Sequence, residues 1–220
     1  MEKFDLCNDL KEEIESYTSM LNIANTSIEN DIRNITKRLL FLKTVVSRSS
    51  KDHYPKFLIY DLLSLMHALK QNSKRNVYNL YRSAIENFVR FALELDDVDG
   101  TGVRKIFDLF KEKFSISPET IEIINFIEGE YSGCCDFVHS NQRAGLSIAE
   151  HYQDILSNDD MNDQTIKQIT KRIVTFLQKI TLLLIYVSPD FVDGSFYRSK
   201  QKLKYLIGEG NYRVLRENVS

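Results

Sequence analysis

Three groups of residues have types and spacing that suit chemistry. Cys134, Cys135 and His139 lie close together in the chain. Two thiols and an imidazole suggest zinc, but a closed zinc site needs four tetrahedral ligands, and Cys7 is the one obvious further donor. Buried small cysteines are the reading adopted, with no metal and no cofactor. Arg82 and Glu86 form the second group, one helical turn apart. They read either as a solvated i,i+4 ion pair or as a phosphate-binding cation oriented by a carboxylate. The third group, Arg48 to His53, has R-x4-H spacing but falls in a polar, loop-like stretch, so it is a minor candidate. The sequence contains no glycine-rich phosphate loop, zinc-type cysteine pair or nucleophile elbow.

The elements that position these residues are helices. The 220 residues include only three prolines and eight glycines, and 43% are hydrophobic. That supply builds a core without disulfides. The odd cysteine count, with two cysteines adjacent, is a poor disulfide framework and points to a reducing, cytoplasmic location. The first residues lack the basic and apolar regions of a signal peptide. The most apolar run, Leu182 to Val187, is far too short to span a bilayer.

Helical periodicity runs through the chain. Leu6, Leu10, Ile14 and Tyr17 define a first helix, and Ile28, Ile32, Ile35 and Leu39 a second, with Thr26-Ser27-Ile28-Glu29 between them as a capping box. Pro55 suits the first turn of a third helix, to about Gln71. Ser73 caps a fourth, to about Leu95, whose core stripe is Val77, Tyr81, Ala84, Phe88 and Leu95. Arg82 and Glu86 stand roughly 130° and 170° from the centre of that stripe. An acidic loop, 96–102, precedes a short helix over 103–114. Ser117-Pro118 opens a helix to about His139, with Gly129 and Gly133 offering close approach to a neighbouring helix. Ser147-Ile148-Ala149-Glu150 is a second capping box. A long helix then runs to Val187 and is broken by Ser188-Pro189. A last helix covers about 195–207, followed by a turn and a basic tail. The expected fold is all-α: a helical bundle core over 51–190, an N-terminal helical hairpin over 1–50 and a basic C-terminal helix and tail over 191–220.

Arg82-x-x-x-Glu86 on one helix, followed by Tyr131-x-x-x-Cys135-x-x-x-His139, resembles the bacterial HEPN-like helical families over roughly residues 55–187. The resemblance implies an antiparallel bundle of four or five helices, often dimeric, of the kind found in toxin–antitoxin and antiphage systems. It implies His139 as a proton-moving group, Arg82 as phosphate clamp, Glu86 as its orienting partner, and Tyr131 as a binding residue. Many active members are metal-independent ribonucleases with an R-x4-6-H motif. Here the positions from which an arginine would pair with His139 are Ser132, Gly133 and Cys134.

Charge is distributed unevenly. Residues 164–220 hold ten Lys/Arg against four Asp/Glu, or +6, and residues 1–163 hold nineteen against twenty-seven, or −8. Arg198, Lys200, Lys202, Lys204 and Arg213 are the candidate binding cations of the C-terminal part. They meet either an anionic partner or the acidic remainder of the chain itself. Phe196, Leu203, Tyr205, Leu206 and Ile207 supply an apolar face for docking. Three functions follow as expectations. The first is a non-enzymatic interaction subunit of a defence or toxin–antitoxin assembly, with a protein partner or a second copy. The others are a ribonuclease using His139 and a nucleic-acid binder using the basic C-terminal part.

Overall fold

The computed structural model describes residues 6–23, 26–97, 99–138, 147–150, 152–153 and 160–219. Among these residues there are helices and no strand. The helices are α1 (Asn8–Leu21), α2 (Glu29–Val46), α3 (His53–Lys70), α4 (Lys74–Ala92), α5 (Val103–Phe114), α6 (Pro118–Val138), α7 (Asp163–Val187), α8 (Pro189–Ser195), α9 (Lys200–Ile207) and α10 (Glu209–Asn218).

Five of them close a ring: α2 packs on α3, α3 on α4, α4 on α6, α6 on α7, and α7 back on α2. The α3–α4 hairpin is the most extensive pair. Its turn is set by Asn72, which takes the left-handed conformation (φ 57°) that asparagine tolerates. The Asn72 side chain also accepts from the Met161 amide at 3.0 Å, tying the entry to α7 onto the hairpin. Helix α2, expected in an N-terminal extension, is a member of the ring, with Phe41, Leu42 and Val45 fully buried. One hydrophobic cluster runs from Ile14 to Leu215, so both ends of the chain share the central core. Its aromatic centre is Phe88, edge-on to both Phe110 and Phe176 at 6.3 Å.

Helix boundaries follow local chemistry where side chains cap them. Ser117 and Thr120 exchange bonds across the start of α6. The Ser147–Glu150 box closes reciprocally, at 2.8 and 3.4 Å. Asn162 accepts from the Thr165 amide at 2.8 Å and starts α7. The expected box at Thr26 does not cap α2. Residues 26–28 tighten into a 3₁₀ turn, and Ile28 stands at the N-cap without a side-chain bond. Ser188-Pro189 ends α7 as expected, with a 107° bend into α8. The expected single helix over 195–207 is corrected: α8 ends at Ser195, α9 starts at Lys200, and the tail forms α10.

The two glycines of α6 do not serve close helix approach. A side chain at Gly129 would meet nothing within 4 Å, and one at Gly133 would meet only the Arg172 guanidinium of α7. Helices α4 and α6 pack together without them, through larger side chains. No single helix among the described residues is long and apolar enough to cross a membrane.

Candidate functional site

The junction of α4, α6 and α7 is where charged and aromatic side chains converge. Tyr81, from the core stripe of α4, is 1% exposed. A buried phenol needs a partner for its O–H. Tyr81 donates to Glu130 Oε2 at 2.9 Å, and the Arg172 Nε–H reaches the same oxygen at 3.0 Å. Arg172 also lies over the Tyr78 ring, and Tyr78 stacks on Phe137 at 4.2 Å. Burial, then the Glu130 carboxylate, pushes the Tyr81 phenol well above its ordinary range. Burial lowers the Arg172 guanidinium, but Glu130 outweighs it and the net direction is upward. Cys134 is fully buried beside this network, and burial raises its thiol to about 12.

Arg82 and Glu86 occupy the next flank of α4, near enough to Tyr131 on the adjoining α6 to act on its phenol. Burial pushes the Tyr131 phenol upward, followed by Cys135 and Glu86, while Arg82 opposes them. The sequence therefore placed four members of its motif on facing helices. His139, the fifth, lies outside the described residues.

Glu86 is partly buried and engaged on its own helix. Its carboxylate takes Arg90 Nε at 3.0 Å and Nη2 at 2.9 Å, one turn further along α4. Arg90 is buried, and it also donates to the Thr101 carbonyl at 2.8 Å and approaches Asp99 at 3.4 Å. It fastens the acidic loop to the bundle. Lys51 pairs with Asp96, and the His53 amide donates to Asp97, so that loop is neutralised from two sides. Arg48 and His53, the minor R-x4-H candidate, go separate ways. Arg48 lines a groove with α8 and Arg198, while the His53 ring lies on Phe57 at the start of α3.

The basic C-terminal part is engaged inside the chain. Lys200 pairs with Asp193 and Lys202 with Asp9, while Lys204 meets Glu209 at 2.8 Å. Arg198 and Arg213 are exposed and pair with no carboxylate among the described residues. The apolar face expected to dock on a partner is buried instead. Leu203, Leu206 and Ile207 join the core, and Phe196 stacks on Phe41.

Sequence reasoning missed Glu130, Arg172 and Arg90. Tyr81 was legible as core, and its hydroxyl announced that a partner must exist. Which residue supplies that partner depends on pairing positions 49 and 91 residues away. No group of three or more His, Cys, Asp or Glu among the described residues is arranged to hold a metal ion. Compared with known families, curated proteins and solved structures, the chain matches none.

Proposed function

We propose that this chain is a non-enzymatic interaction subunit whose docking face is the outer side of α3. The observation that carries this reading is the exposure of Phe57 (46%), Tyr60 (67%) and Leu63 (42%) at helical spacing on that one side. An exposed aromatic stripe of this kind is a partner-helix surface. His53, Lys56, His67 and Lys70 are also exposed on this face. Lys56 pairs with Asp52 at 2.9 Å and Lys70 donates to the Met20 carbonyl at 2.9 Å, so the rim is polar and mixed in charge, as the rim around an apolar docking site is. The HEPN-like resemblance of Arg82-x-x-x-Glu86 and Tyr131-x-x-x-Cys135-x-x-x-His139 supports the reading of this subunit as part of a bacterial defence or toxin–antitoxin assembly. Against catalysis stands the commitment of the available carboxylates, Glu86 to Arg90 and Glu130 to Tyr81 and Arg172.

The test is reconstitution with the product of the adjacent gene, followed by calorimetry. Tyr60→Glu is expected to weaken binding at least roughly tenfold, as truncation at the centre of an interface does, with the helical spectrum unchanged. Unchanged affinity would remove α3 as the docking face, and dimerisation of the free chain lost in the same variant would replace the partner by a second copy.

A second reading, a ribonuclease, is favoured by one observation: Arg82 and Glu86 act on Tyr131, on the helix whose sequence leads to His139. It requires RNA cleavage by the purified chain that disappears in both Arg82→Ala and His139→Ala. The interaction reading expects no cleavage by the wild type.

A further inference from the structure

The corner where α2, α7 and α9 meet holds two cations that no carboxylate of the described residues neutralises. Lys37 and Arg38 are consecutive on α2 and line a cavity of about 100 Å³ with Asn34 and Gln178. Arg38 Nη1 donates to the Leu206 carbonyl at 2.7 Å, in the last turn of α9. The Lys37 ammonium lies over the Tyr205 ring, 4.4 Å from its centroid. Neither forms an ion pair with a carboxylate of the described residues, and no carboxylate lines the cavity. Glu209 is held by Lys204, and Glu15 and Glu29 are held by Arg33.

Magnitudes show what is left over. A helix C-terminus supplies about half a negative charge, shared here by two full positive ones. An aromatic face adds attraction for the Lys37 ammonium but no full negative charge. Holding partly buried cations side by side without an anion costs free energy. The strain appears on both groups. Burial, then Arg38, Arg33 and Lys11, holds the Lys37 ammonium below its ordinary range, and burial lowers Arg38.

We propose that this cavity binds a tetrahedral oxyanion of the phosphate class, as free phosphate or as a phosphomonoester. The doubly charged anion matches two adjacent cations. The amides of Asn34 and Gln178 offer neutral donors at the same wall. The space exceeds the roughly 30 Å³ that a water occupies in the liquid. It falls below the roughly 300 Å³ at which pockets enclose drug-sized ligands. The site is therefore sized for the phosphate group, and any remainder of the ligand projects outward. The two arms of the test separate the sources.

The experiment measures binding and melting of the full chain with inorganic phosphate and with adenosine monophosphate, against chloride at equal ionic strength. Phosphate is expected to raise the melting temperature beyond chloride. Lys37→Gln keeps an aliphatic stem over Tyr205 and leaves the Arg38–Leu206 bond in place, and it is expected to weaken phosphate binding at least tenfold. Gln178→Glu places a carboxylate at the cavity, so it is expected to abolish phosphate binding and raise the anion-free melting temperature. Equal affinity for phosphate and the nucleotide assigns a free anion, and tighter nucleotide binding lost in Lys37→Gln assigns a monoester. An equal rise with chloride would overturn the proposal. So would unchanged phosphate binding in both variants.

Discussion

Tyr81 and Glu130 meet across the α4–α6 interface through a 2.9 Å hydrogen bond to the carboxylate oxygen that Arg172 also holds. The bond joins three helices of the ring at one atom. It also sets an asymmetry between the partners. Removing the phenolic O–H leaves Glu130 with Arg172, whereas removing the carboxylate leaves a buried hydroxyl with only a long contact to the Arg172 carbonyl, at 3.5 Å.

Tyr81→Phe is accordingly expected to cost about 1 kcal/mol, the net value of one hydrogen bond. Glu130→Ala is expected to cost about 2–3 kcal/mol, because Tyr81 loses its acceptor and Arg172 its counter-charge. Urea denaturation of the two variants checks this. Equal losses would mean that the carboxylate contributes nothing beyond the single bond.

Arg90 should be the least replaceable surface-facing residue of α4. Its side chain is 10% exposed and bonds Glu86, Asp99 and the Thr101 carbonyl together. Arg90→Ala is expected to destabilise by about 2–3 kcal/mol, less than for a fully buried pair because both carboxylates keep some water. Arg90→Lys should recover little, since one ammonium cannot reproduce the fork. Hydrogen exchange of residues 99–101 should accelerate in both variants, and protection equal to wild type would refute the fastening role.

Gly129 lies in the interior of α6 with open space where a side chain would go. Glycine there is less favourable than alanine by about 0.5–1 kcal/mol. Gly129→Ala should therefore raise the unfolding free energy measured by denaturant titration by that amount. A fall would restore the reading in which this glycine permits helix approach.

Alkaline pH should unfold the protein through buried acids. Burial raises Tyr17 and Cys134 to about 12 and holds Tyr81 well above its ordinary range. The folded state then keeps protons that the unfolded chain releases from its ordinary values of 9.0 for the thiol and 10.0 for the phenols. Stability is thus fully present below about pH 9 and falls as pH rises toward the folded values, by up to about 1.4 kcal/mol per pH unit for each group. Cys134→Ala should flatten the onset between pH 9 and 10. Alkylation supplies an independent check, since Cys134 should label only as fast as the chain opens, and rapid labelling of the native state at neutral pH would contradict its burial.

The sequence determined the helices. Spacing of apolar residues located nearly all of them, and Ser117, Ser147 and Ser188-Pro189 marked boundaries that local side-chain chemistry enforces within a few residues. It also set Arg82, Glu86, Tyr131 and Cys135 on two helices, because helical spacing alone aligns i with i+4. It did not decide what those residues face. The helical wheel left Glu86 solvated, since it counts one helix, and the loop at 99–101 that covers this flank comes from outside that helix. The basic residues after 195 left two readings open, an anionic partner or the acidic remainder of the chain, because composition counts charges without their partners. In the fold, Asp9, Asp193 and Glu209 take up Lys202, Lys200 and Lys204. Lys37 and Arg38 show the converse. Nothing in their order marks them as unneutralised, and only the packing of α2 against α7 and α9 leaves two cations facing a cavity without an acid. Local interactions are written in neighbouring residues, whereas the pairing of charges 30 to 190 residues apart is settled only when the helices pack against one another.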